Sequence, residues 1–363
     1  MPETFILSVR KVDASHTAFS MSLPAPSEQT IVITGISGFV ASHIARTFLE
    51  AGYKVRGTVR SERSIAGIQK AHAQQNDRLS FVVVPDMAAP NALHDAVKGA
   101  SGIIHTANPF ILQPKDNESE LLKPSINGFL NVLEAAATQG STLYRVVLTA
   151  SFACILDLFQ GARPGYTYTE KDWNPCTYEE AKNTPSGAIA YCAAKALAEK
   201  AGWDWMESRK PTFTLSTINP PWIFGPSLNG IKSLDHLNES TEAIWKLVNG
   251  SVSVVPPVDF AGFADVRDVA AAHLSAFERE EAAGQRFLVG SHFDYQTAVD
   301  GLRKDFPELQ DRIPKGTPGV TEPVYQLDGS KAQKILGVKY TPINVTMKDT
   351  VADLIEAEKS LKA

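Results

Sequence analysis

The chain is poor in cysteine, with only Cys154, Cys176 and Cys192 among its 363 residues. Three scattered cysteines cannot form the dense disulfide framework of a small secreted fold, and they lack the paired spacing of a zinc site. The eight histidines show no metal-ligand spacing either, so we expect no metal. The scarcity of cysteine favours a reducing compartment, and we expect a cytoplasmic location.

Positive charge and long apolar runs are scarce as well. The 35 Lys and Arg residues are outnumbered by 40 Asp and Glu residues, which gives a net charge of −5. That balance excludes a bulk basic field, so nucleic acid is not an expected partner. The uncharged stretch 211–231 is interrupted by Pro220, Pro221 and other helix breakers, so it is no candidate for a membrane span, and we expect no membrane contact.

The N-terminal part lacks regular periodicity. Residues 1–29 show neither helical nor strand spacing, and we predict a flexible N-terminal extension there. An organellar leader with Arg10 and Lys11 as its basic residues is the alternative, although the acidic residues Glu3 and Asp13 count against it. The regular fold is therefore expected to begin at residue 30.

From residue 30 onward, apolar strand-like runs alternate with helical stretches. With 44% hydrophobic residues the chain can bury a full core, and its length suits one large or two coupled domains. Strands that alternate with helices form parallel sheets covered on both faces. We therefore predict an α/β fold, a Rossmann-type doubly wound parallel sheet with a smaller C-terminal substrate-binding lobe. The predicted sheet domain spans 30–221, with 265–289 returning to it, and the lobe spans 222–264 and 290–363.

A glycine turn follows the first predicted strand. Gly35, Gly38 and Ala41 have the spacing G-x-x-G-x-x-A. The first glycine permits a tight turn, the second allows close approach of the backbone to a pyrophosphate, and free N–H groups at the start of the next helix favour an anion. The sequence therefore predicts a dinucleotide site formed by Gly35, Ser37, Gly38, Phe39 and Val40.

The end of the second predicted strand indicates which dinucleotide fits. A carboxylate there would hold the ribose 2′-hydroxyl of NAD, but this stretch reads KVRGTVRS and contains no acid. Guanidinium groups suit a 2′-phosphate, so NADP(H) is the expected cofactor, with Arg60 the first candidate ligand and Arg56 the second. Topology adds four contacts at the ends of the third and fourth strands: Asp86, Met87, Thr106 and Ala107.

Three further residues suggest chemistry on a carbonyl group. Tyr191 and Lys195 lie four residues apart in a predicted helix and so share one face, and Ser151 ends the predicted strand VVLTAS. Carbonyl reduction needs a hydride on carbon and a proton on oxygen. We expect Lys195 and the oxidised nicotinamide to lower the pKa of the Tyr191 phenol, while Ser151 hydrogen-bonds the substrate oxygen.

Several runs together carry a family resemblance: TGISGFVASHI, GYKVRGTVRS, VVLTAS, YCAAKALAEKAGW and NPPWIFGP. From about residue 30 the chain resembles the extended short-chain dehydrogenases/reductases, in particular the dihydroflavonol-reductase-like group with its fungal carbonyl and methylglyoxal reductases. The resemblance implies that Ser151, Tyr191 and Lys195 are catalytic and that Arg60 binds the 2′-phosphate. It also implies that the backbone around Pro220, Trp222 and Ile223 contacts the nicotinamide, and that Lys195 and Tyr191 contact the cofactor.

One departure from the group leaves an alternative open. The group often has Thr-Ser-Ser where this chain has Thr149-Ala150-Ser151, so Thr149 is the alternative to Ser151 as the catalytic hydroxyl. For the substrate we expect an apolar pocket lined by Phe110, Phe152 and Trp222.

The function that these observations favour is NADPH-dependent reduction of small-molecule ketones or aldehydes by a monomer or homodimer. The alternatives are a nucleotide-sugar epimerase or dehydratase, which would hold NAD tightly and recycle it, and a non-catalytic dinucleotide-sensing protein. The arginines at the second strand count against the epimerase. A sensor would not need the serine, the tyrosine and the lysine together.

Overall fold

The computed structural model describes residues 24–362, so most of the predicted flexible extension at 1–29 lies outside the described part. Its last residues are folded. Pro26–Glu28 form a short 3₁₀ turn, and Gln29 is buried. The carbonyl of Gln29 accepts a 3.0 Å hydrogen bond from the N–H of Lys54, and its side chain accepts one from the Tyr144 hydroxyl. The regular fold thus starts a few residues before the predicted boundary.

Strands and helices alternate through the first two thirds of the described chain. The strands are β1 (Thr30–Thr34), β2 (Lys54–Val59), β3 (Leu79–Val83), β4 (Gly102–His105), β5 (Arg145–Thr149), β6 (Thr167–Tyr168), β7 (Thr214–Asn219), β8 (Trp222–Phe224), β9 (Gly262–Asp265), β10 (Gln285–Leu288), β11 (Ser291–His292) and β12 (Gln326–Leu327). The helices are α1 (Phe39–Glu50), α2 (Ile65–Ala71), α3 (His94–Val97), α4 (Lys123–Ala137), α5 (Tyr178–Asn183), α6 (Gly187–Arg209), α7 (Glu239–Val248), α8 (Val266–Glu278), α9 (Tyr295–Asp305) and α10 (Ile343–Lys362).

Seven parallel strands form the central sheet, in the order β10-β7-β5-β4-β1-β2-β3. The chain order reverses between β1 and β4, so a crevice opens at the carboxyl ends of these two strands, where doubly wound folds bind ligands. The prediction of a Rossmann-type fold is confirmed.

The residues of β1 show why helices cover both faces of the sheet. Ile31 and Ile33 pack with α1 and α8 on one face, whereas Val32 between them packs with α4 on the other. Side chains of a strand alternate between faces, and both faces of this strand are apolar. The result is a three-layer unit in which four of the five residues of β1 are buried.

A second, smaller core lies in the C-terminal part. It joins the short sheet β8-β9-β11 to α7, α9 and α10 through buried side chains such as Phe224, Ile244, Phe293 and Leu354. The segment 332–338 belongs instead to the core beside α1 and α8, although the predicted lobe included it. Its apolar residues face the central sheet rather than the lobe.

Two segments near the central sheet have little regular structure. The stretch 91–100 contains only the single helical turn α3, and the stretch between Ser151 and Tyr191 contains the short elements β6 and α5 before α6 begins. The β6 strand pairs with β12 and so ties this segment to the C-terminal part of the chain. Within residues 24–362, no helix combines the length and the apolar character needed to cross a bilayer.

Candidate active site

The glycine turn between β1 and α1 has the backbone conformation that its sequence predicts. Gly35 has a φ of +64°, and a Cβ placed there would lie 2.9 Å from the Cβ of Ala107. The N–H of Gly35 donates to the Thr58 hydroxyl over 3.0 Å. Gly38 precedes the first helical residue and offers no side-chain cap, so the N–H groups at the start of α1 have no side-chain acceptor at that position. Such a turn suits a bound phosphate.

Thr34 connects the carboxyl ends of β1 and β4. Its hydroxyl accepts hydrogen bonds from the N–H groups of Thr106 (3.0 Å) and Ala107 (3.1 Å) and lies 2.9 Å from Nδ1 of His105. The Thr106 hydroxyl in turn donates to the Thr34 carbonyl. Burial lowers the pKa of His105 to about 3, so its ring is neutral and Nδ1 accepts from Thr34. Both strand ends are thereby held beside the turn.

A cavity of about 290 Å³ lies at this edge of the sheet. Thr58 and Ser125, which the sequence did not single out, line it. So do five of the predicted cofactor contacts: Gly35, Arg60, Asp86, Met87 and Ala107. The Ser125 hydroxyl is buried and has no hydrogen-bond partner within residues 24–362. An unpaired buried hydroxyl facing a cavity fits a polar ligand, because leaving such a group unsatisfied is costly.

The two arginines predicted for the 2′-phosphate have different surroundings. Arg60 follows β2, is exposed and lines the cavity. Arg56 lies in the middle of β2, and its guanidinium donates to the carbonyls of Ala96 (2.9 Å) and Lys98 (2.7 Å). Arg56 does not line the cavity, and these two carbonyls hold its guanidinium, so Arg60 is the better placed of the two candidates.

Helix α6 presents Tyr191 and Lys195 on one face. Ser186 caps the helix by accepting from the N–H of Ile189. The amine of Lys195 donates to the backbone carbonyl of Thr149 over 3.2 Å, and the Ser151 hydroxyl is near enough to Tyr191 to lower the pKa of its phenol. The end of β5 and the start of α6 therefore converge as their sequence predicts.

Burial dominates the electrostatics of this group. It raises the pKa of the Tyr191 phenol above its usual value, against a smaller lowering effect of the Ser151 hydrogen bond, and it lowers the pKa of Lys195. The expected lowering of the phenol pKa combined Lys195 with an oxidised nicotinamide. Among the chain's own groups, burial is the largest effect on Tyr191, and it raises this pKa.

The alternative hydroxyl at Thr149 has another partner. Nδ1 of His273 donates to the Val269 carbonyl over 2.8 Å, which leaves Nε2 as an acceptor for the Thr149 hydroxyl at 2.7 Å. Burial lowers the pKa of His273 to about 4, so the ring is neutral. Thr149 thus points toward α8, and Ser151 is the hydroxyl beside Tyr191.

The three side chains predicted to line the substrate pocket have different surroundings. Phe110 is 49% exposed, and its ring centroid lies 4.6 Å from that of Tyr191. Phe152 is fully buried and packs against Tyr168 and Tyr325, so its side chain belongs to a core and not to a pocket wall. Trp222 is partly buried, and its indole N–H donates to Asp259 over 3.1 Å.

The other predicted nicotinamide contacts sit at the junction of sheet and lobe. The Pro220 carbonyl accepts from the N–H of Phe152 over 2.8 Å, so this oxygen already has a partner. Ile223 lies in β8, where it pairs with Ala264 and packs against the main core. These contacts give the junction a fixed backbone.

A loop after β8 reaches the glycine turn. The amide of Asn229 donates to the carbonyl of Ser37 over 3.0 Å, while its Oδ1 atom is buried without a partner among the described residues. Phe39 and Val40 begin α1 behind this contact; Phe39 packs edge-on against His43, and Val40 packs into the core. No local pattern in the sequence indicated Asn229, because its partner lies 192 residues away.

A second groove, of about 480 Å³, lies between residues 112–117 and 182–187. None of the predicted site residues lines it, and most of its surface is polar. Among the described residues, no group of three or more His, Cys, Asp or Glu side chains could hold a metal ion. The three cysteines are free and buried.

The chain is similar in sequence to a known protein family and to characterised relatives. Residues 31–290 match the NAD dependent epimerase/dehydratase family. An NADPH-dependent methylglyoxal reductase of Saccharomyces cerevisiae is 35% identical over 341 residues, covering 91% of this chain and 99% of the relative. A ketoreductase of Aspergillus niger is 35% identical over 342 residues, covering 90% and 97%.

A solved structure is similar over the same span. The yeast methylglyoxal/isovaleraldehyde reductase complexed with NADPH has a TM-score of 0.84 at 33% identity, covering 91% of this chain and 99% of that chain. The sequence match, the relatives and the fold all agree. This chain belongs to the NAD dependent epimerase/dehydratase family, that is, to the extended short-chain dehydrogenases/reductases that its motifs resemble.

Proposed function

We propose that this protein is an NADPH-dependent reductase that converts ketones or aldehydes to alcohols, with Tyr191 as the proton donor. One observation carries the proposal: the Ser151 hydroxyl lies beside the Tyr191 phenol, with Lys195 one helical turn farther along α6. Relatives named as NADPH-dependent methylglyoxal reductase and ketoreductase support the same reaction class.

The cofactor assignment rests on the cavity at the carboxyl ends of the central strands. Arg60 lines this cavity, and its guanidinium makes no hydrogen bond or ion pair with another residue in the range 24–362. A free guanidinium is suited to a 2′-phosphate. In addition, β2 ends without the carboxylate that would hold the ribose 2′-hydroxyl of NAD. A solved relative bound to NADPH supports this choice.

The chain's own residues supply the proton and the orientation of the substrate. NADPH, when bound, supplies the hydride. The Tyr191 hydroxyl gives its proton to the carbonyl oxygen as charge develops there, and the Ser151 hydroxyl donates a hydrogen bond to the same oxygen. The phenol is protonated at neutral pH, so it carries the proton that reduction needs. The Lys195 amine, buried one helical turn farther along α6, is placed to stabilise the phenolate that remains.

The substrate surface next to Tyr191 is aromatic. Phe110 covers one edge of the Tyr191 ring, so a small carbonyl compound with an apolar substituent fits the site. A monomer or homodimer and a cytoplasmic location remain predictions from the sequence. A size-exclusion profile combined with light scattering would settle the first, and fluorescence microscopy of the tagged full chain would settle the second.

The alternative on the same fold is an epimerase or dehydratase, which recycles its nicotinamide within each turnover. A carbonyl panel followed by NADPH absorbance separates the two, with NADH in parallel. The proposal expects one NADPH consumed per alcohol formed and slower turnover with NADH. Product formation without net loss of NADPH would favour the epimerase.

Variants at the three hydroxyls test the proton donor. Tyr191→Phe should lower kcat at least 100-fold, because it removes the proton while keeping the ring, and Ser151→Ala should lower it at least tenfold, in the range typical of lost acid and oxyanion contacts. Thr149→Val should lose less than tenfold, because its hydroxyl serves His273. Near wild-type turnover in Tyr191→Phe, with NADPH still bound, would overturn the assignment.

A further inference from the structure

Below Lys195, on the same face of α6, lies a carboxylate that the proposed mechanism does not use. Tyr191, Lys195 and Glu199 follow one another at intervals of four residues, and Glu199 is completely buried. A buried carboxylate is costly unless its oxygens are fully paired. Its contacts therefore indicate what the residue is for.

Glu199 has hydrogen-bond partners on both carboxylate oxygens. Arg286 donates to both of them, from Nε over 2.8 Å and from Nη2 over 3.1 Å. The Thr217 hydroxyl donates over 2.7 Å, the Trp203 indole N–H over 3.3 Å, and the Asn219 amide over 2.9 Å. These contacts hold the pKa of Glu199 below its usual range despite its burial, so the carboxylate is charged.

The contact with Asn219 leads to the candidate active site. The same amide nitrogen that donates to Glu199 also donates to the backbone carbonyl of Ser151 over 3.1 Å. Asn219 is fully buried at the end of β7, so its amide has a single possible orientation in this network. One bridging side chain thus joins the carboxylate below Lys195 to the residue beside Tyr191.

Arg286 extends the network to the segment that follows the active-site serine. Its Nη1 atom donates to the carbonyls of Glu170 (2.6 Å) and Asp172 (2.9 Å), and its guanidinium stacks on Trp173 at 3.5 Å. The arginine lies in β10, at the edge of the central sheet. Glu199 therefore connects α6, β7 and β10 at one buried point.

We propose that Glu199 is a positioning residue for catalysis, which acts through the Asn219 amide to hold the Ser151 backbone, and hence its hydroxyl, beside Tyr191. This inference rests on the proposed role of Ser151. The neighbouring backbone contacts, Ala150 N–H to the Ile218 carbonyl and Phe152 N–H to the Pro220 carbonyl, fix the strand but leave the Ser151 carbonyl to Asn219 and Cys154. Loss of the amide should move the hydroxyl slightly and leave the fold in place.

Asn219→Ala is the most selective test, because it cuts the link and keeps the Arg286–Glu199 pair. We expect kcat to fall about tenfold or more, since small misplacement of a catalytic group is expensive. The KM for NADPH should stay within twofold. Adding Ser151→Ala to Asn219→Ala should cost little more than Ser151→Ala alone, because the amide acts through that serine.

Two further variants keep the test decisive. Asn219→Ser replaces the alanine variant if that variant does not fold. Glu199→Gln keeps the side-chain volume, and we expect it to lower kcat by a similar factor. Asp265→Asn is a matched control, because it removes the charge of another buried carboxylate paired with an arginine, Arg267, at the end of β9 and outside the Glu199 network. The control should lower Tm. Adding Ser151→Ala to Asp265→Asn should then lower kcat by the same factor as Ser151→Ala does in the wild-type protein.

The outcomes distinguish the proposed role of Ser151 from the positioning role of Glu199. If Ser151→Ala keeps wild-type turnover, the proposed role of Ser151 is wrong. If Ser151→Ala loses turnover but Asn219→Ala and Glu199→Gln keep wild-type kcat, only the positioning role is wrong. Fully multiplicative losses in the double variant would likewise overturn it, since they would mean that Asn219 acts on general stability.

Discussion

Two arginines of the same strand region show that a side chain's surroundings decide whether it can meet a ligand. Arg56 and Arg60 lie four residues apart, yet the Arg56 guanidinium donates to two backbone carbonyls whereas Arg60 lines the cavity. Composition near a strand end therefore identifies a charge type but not the residue that meets the ligand. Only the position at the carboxyl end of β2 makes Arg60 the stronger candidate.

This contrast predicts a change of cofactor preference. Arg60→Leu should raise the KM for NADPH about 10- to 100-fold, the range expected for loss of a charge-assisted contact of about 1.5–3 kcal/mol, and change NADH kinetics little. Arg56→Leu is the matched control and should leave the NADPH-to-NADH ratio of kcat/KM unchanged. Equal effects of the two substitutions would contradict the assignment.

At the scale of elements, the turn between β1 and α1 depends on one unusual backbone conformation and one close approach. Gly35 has a φ of +64°, and the Ala107 methyl group would lie only 2.9 Å from a Cβ added to it. Gly99 has a similar φ of +69° but open space around it. Comparing substitutions at the two glycines therefore separates the effect of backbone strain from the effect of a steric clash.

Alanine at these two glycines should therefore behave differently. Both substitutions should lower the free energy of unfolding by about 1 kcal/mol through the left-handed conformation. Only Gly35→Ala should also weaken NADPH binding, by tenfold or more, because the turn must shift away from Ala107. Fluorescence titration with NADPH measures the binding, and an unchanged Kd in Gly35→Ala would show that the turn does not hold the cofactor.

At the scale of the whole molecule, neutral histidines are built into the core. Burial lowers the pKa of His105 to about 3 and that of His273 to about 4, from an ordinary value of 6.5. Each ring fixes a neighbouring threonine, Thr34 or Thr149, near the candidate site. Between pH 6.5 and 4 the unfolded chain binds more protons at these histidines than the folded chain does.

Stability should therefore decline on mild acidification. The free energy of unfolding should fall by about 1.4 kcal/mol per pH unit for each of the two histidines once the pH is below 6.5, and it should level off above that value. Urea unfolding at pH 7, 6 and 5 measures the slope. A free energy of unfolding that is the same at pH 7 and pH 5 would contradict neutral, buried rings.

The alternating strands and helices, the glycine turn and the Tyr191–Lys195 spacing could be predicted because each is a local pattern with a fixed period. The surroundings of Phe152 and Arg56 could not be predicted, since an apolar or basic side chain takes its environment from the tertiary fold. Glu199 and Asn229 carried no local signal at all. Their partners come from other strands and loops, so their roles appear only after the chain has folded.

The most direct test of the central claim follows the hydrogen itself. NADPH labelled with deuterium at C4, on each face in turn, is supplied with a ketone, and the alcohol is analysed by mass spectrometry. The account predicts one deuterium on the carbinol carbon from one of the two labelled faces, with one NADPH consumed per alcohol, and at least a 100-fold slower transfer in Tyr191→Phe. Alcohol formed without label from either face would contradict direct reduction by this protein.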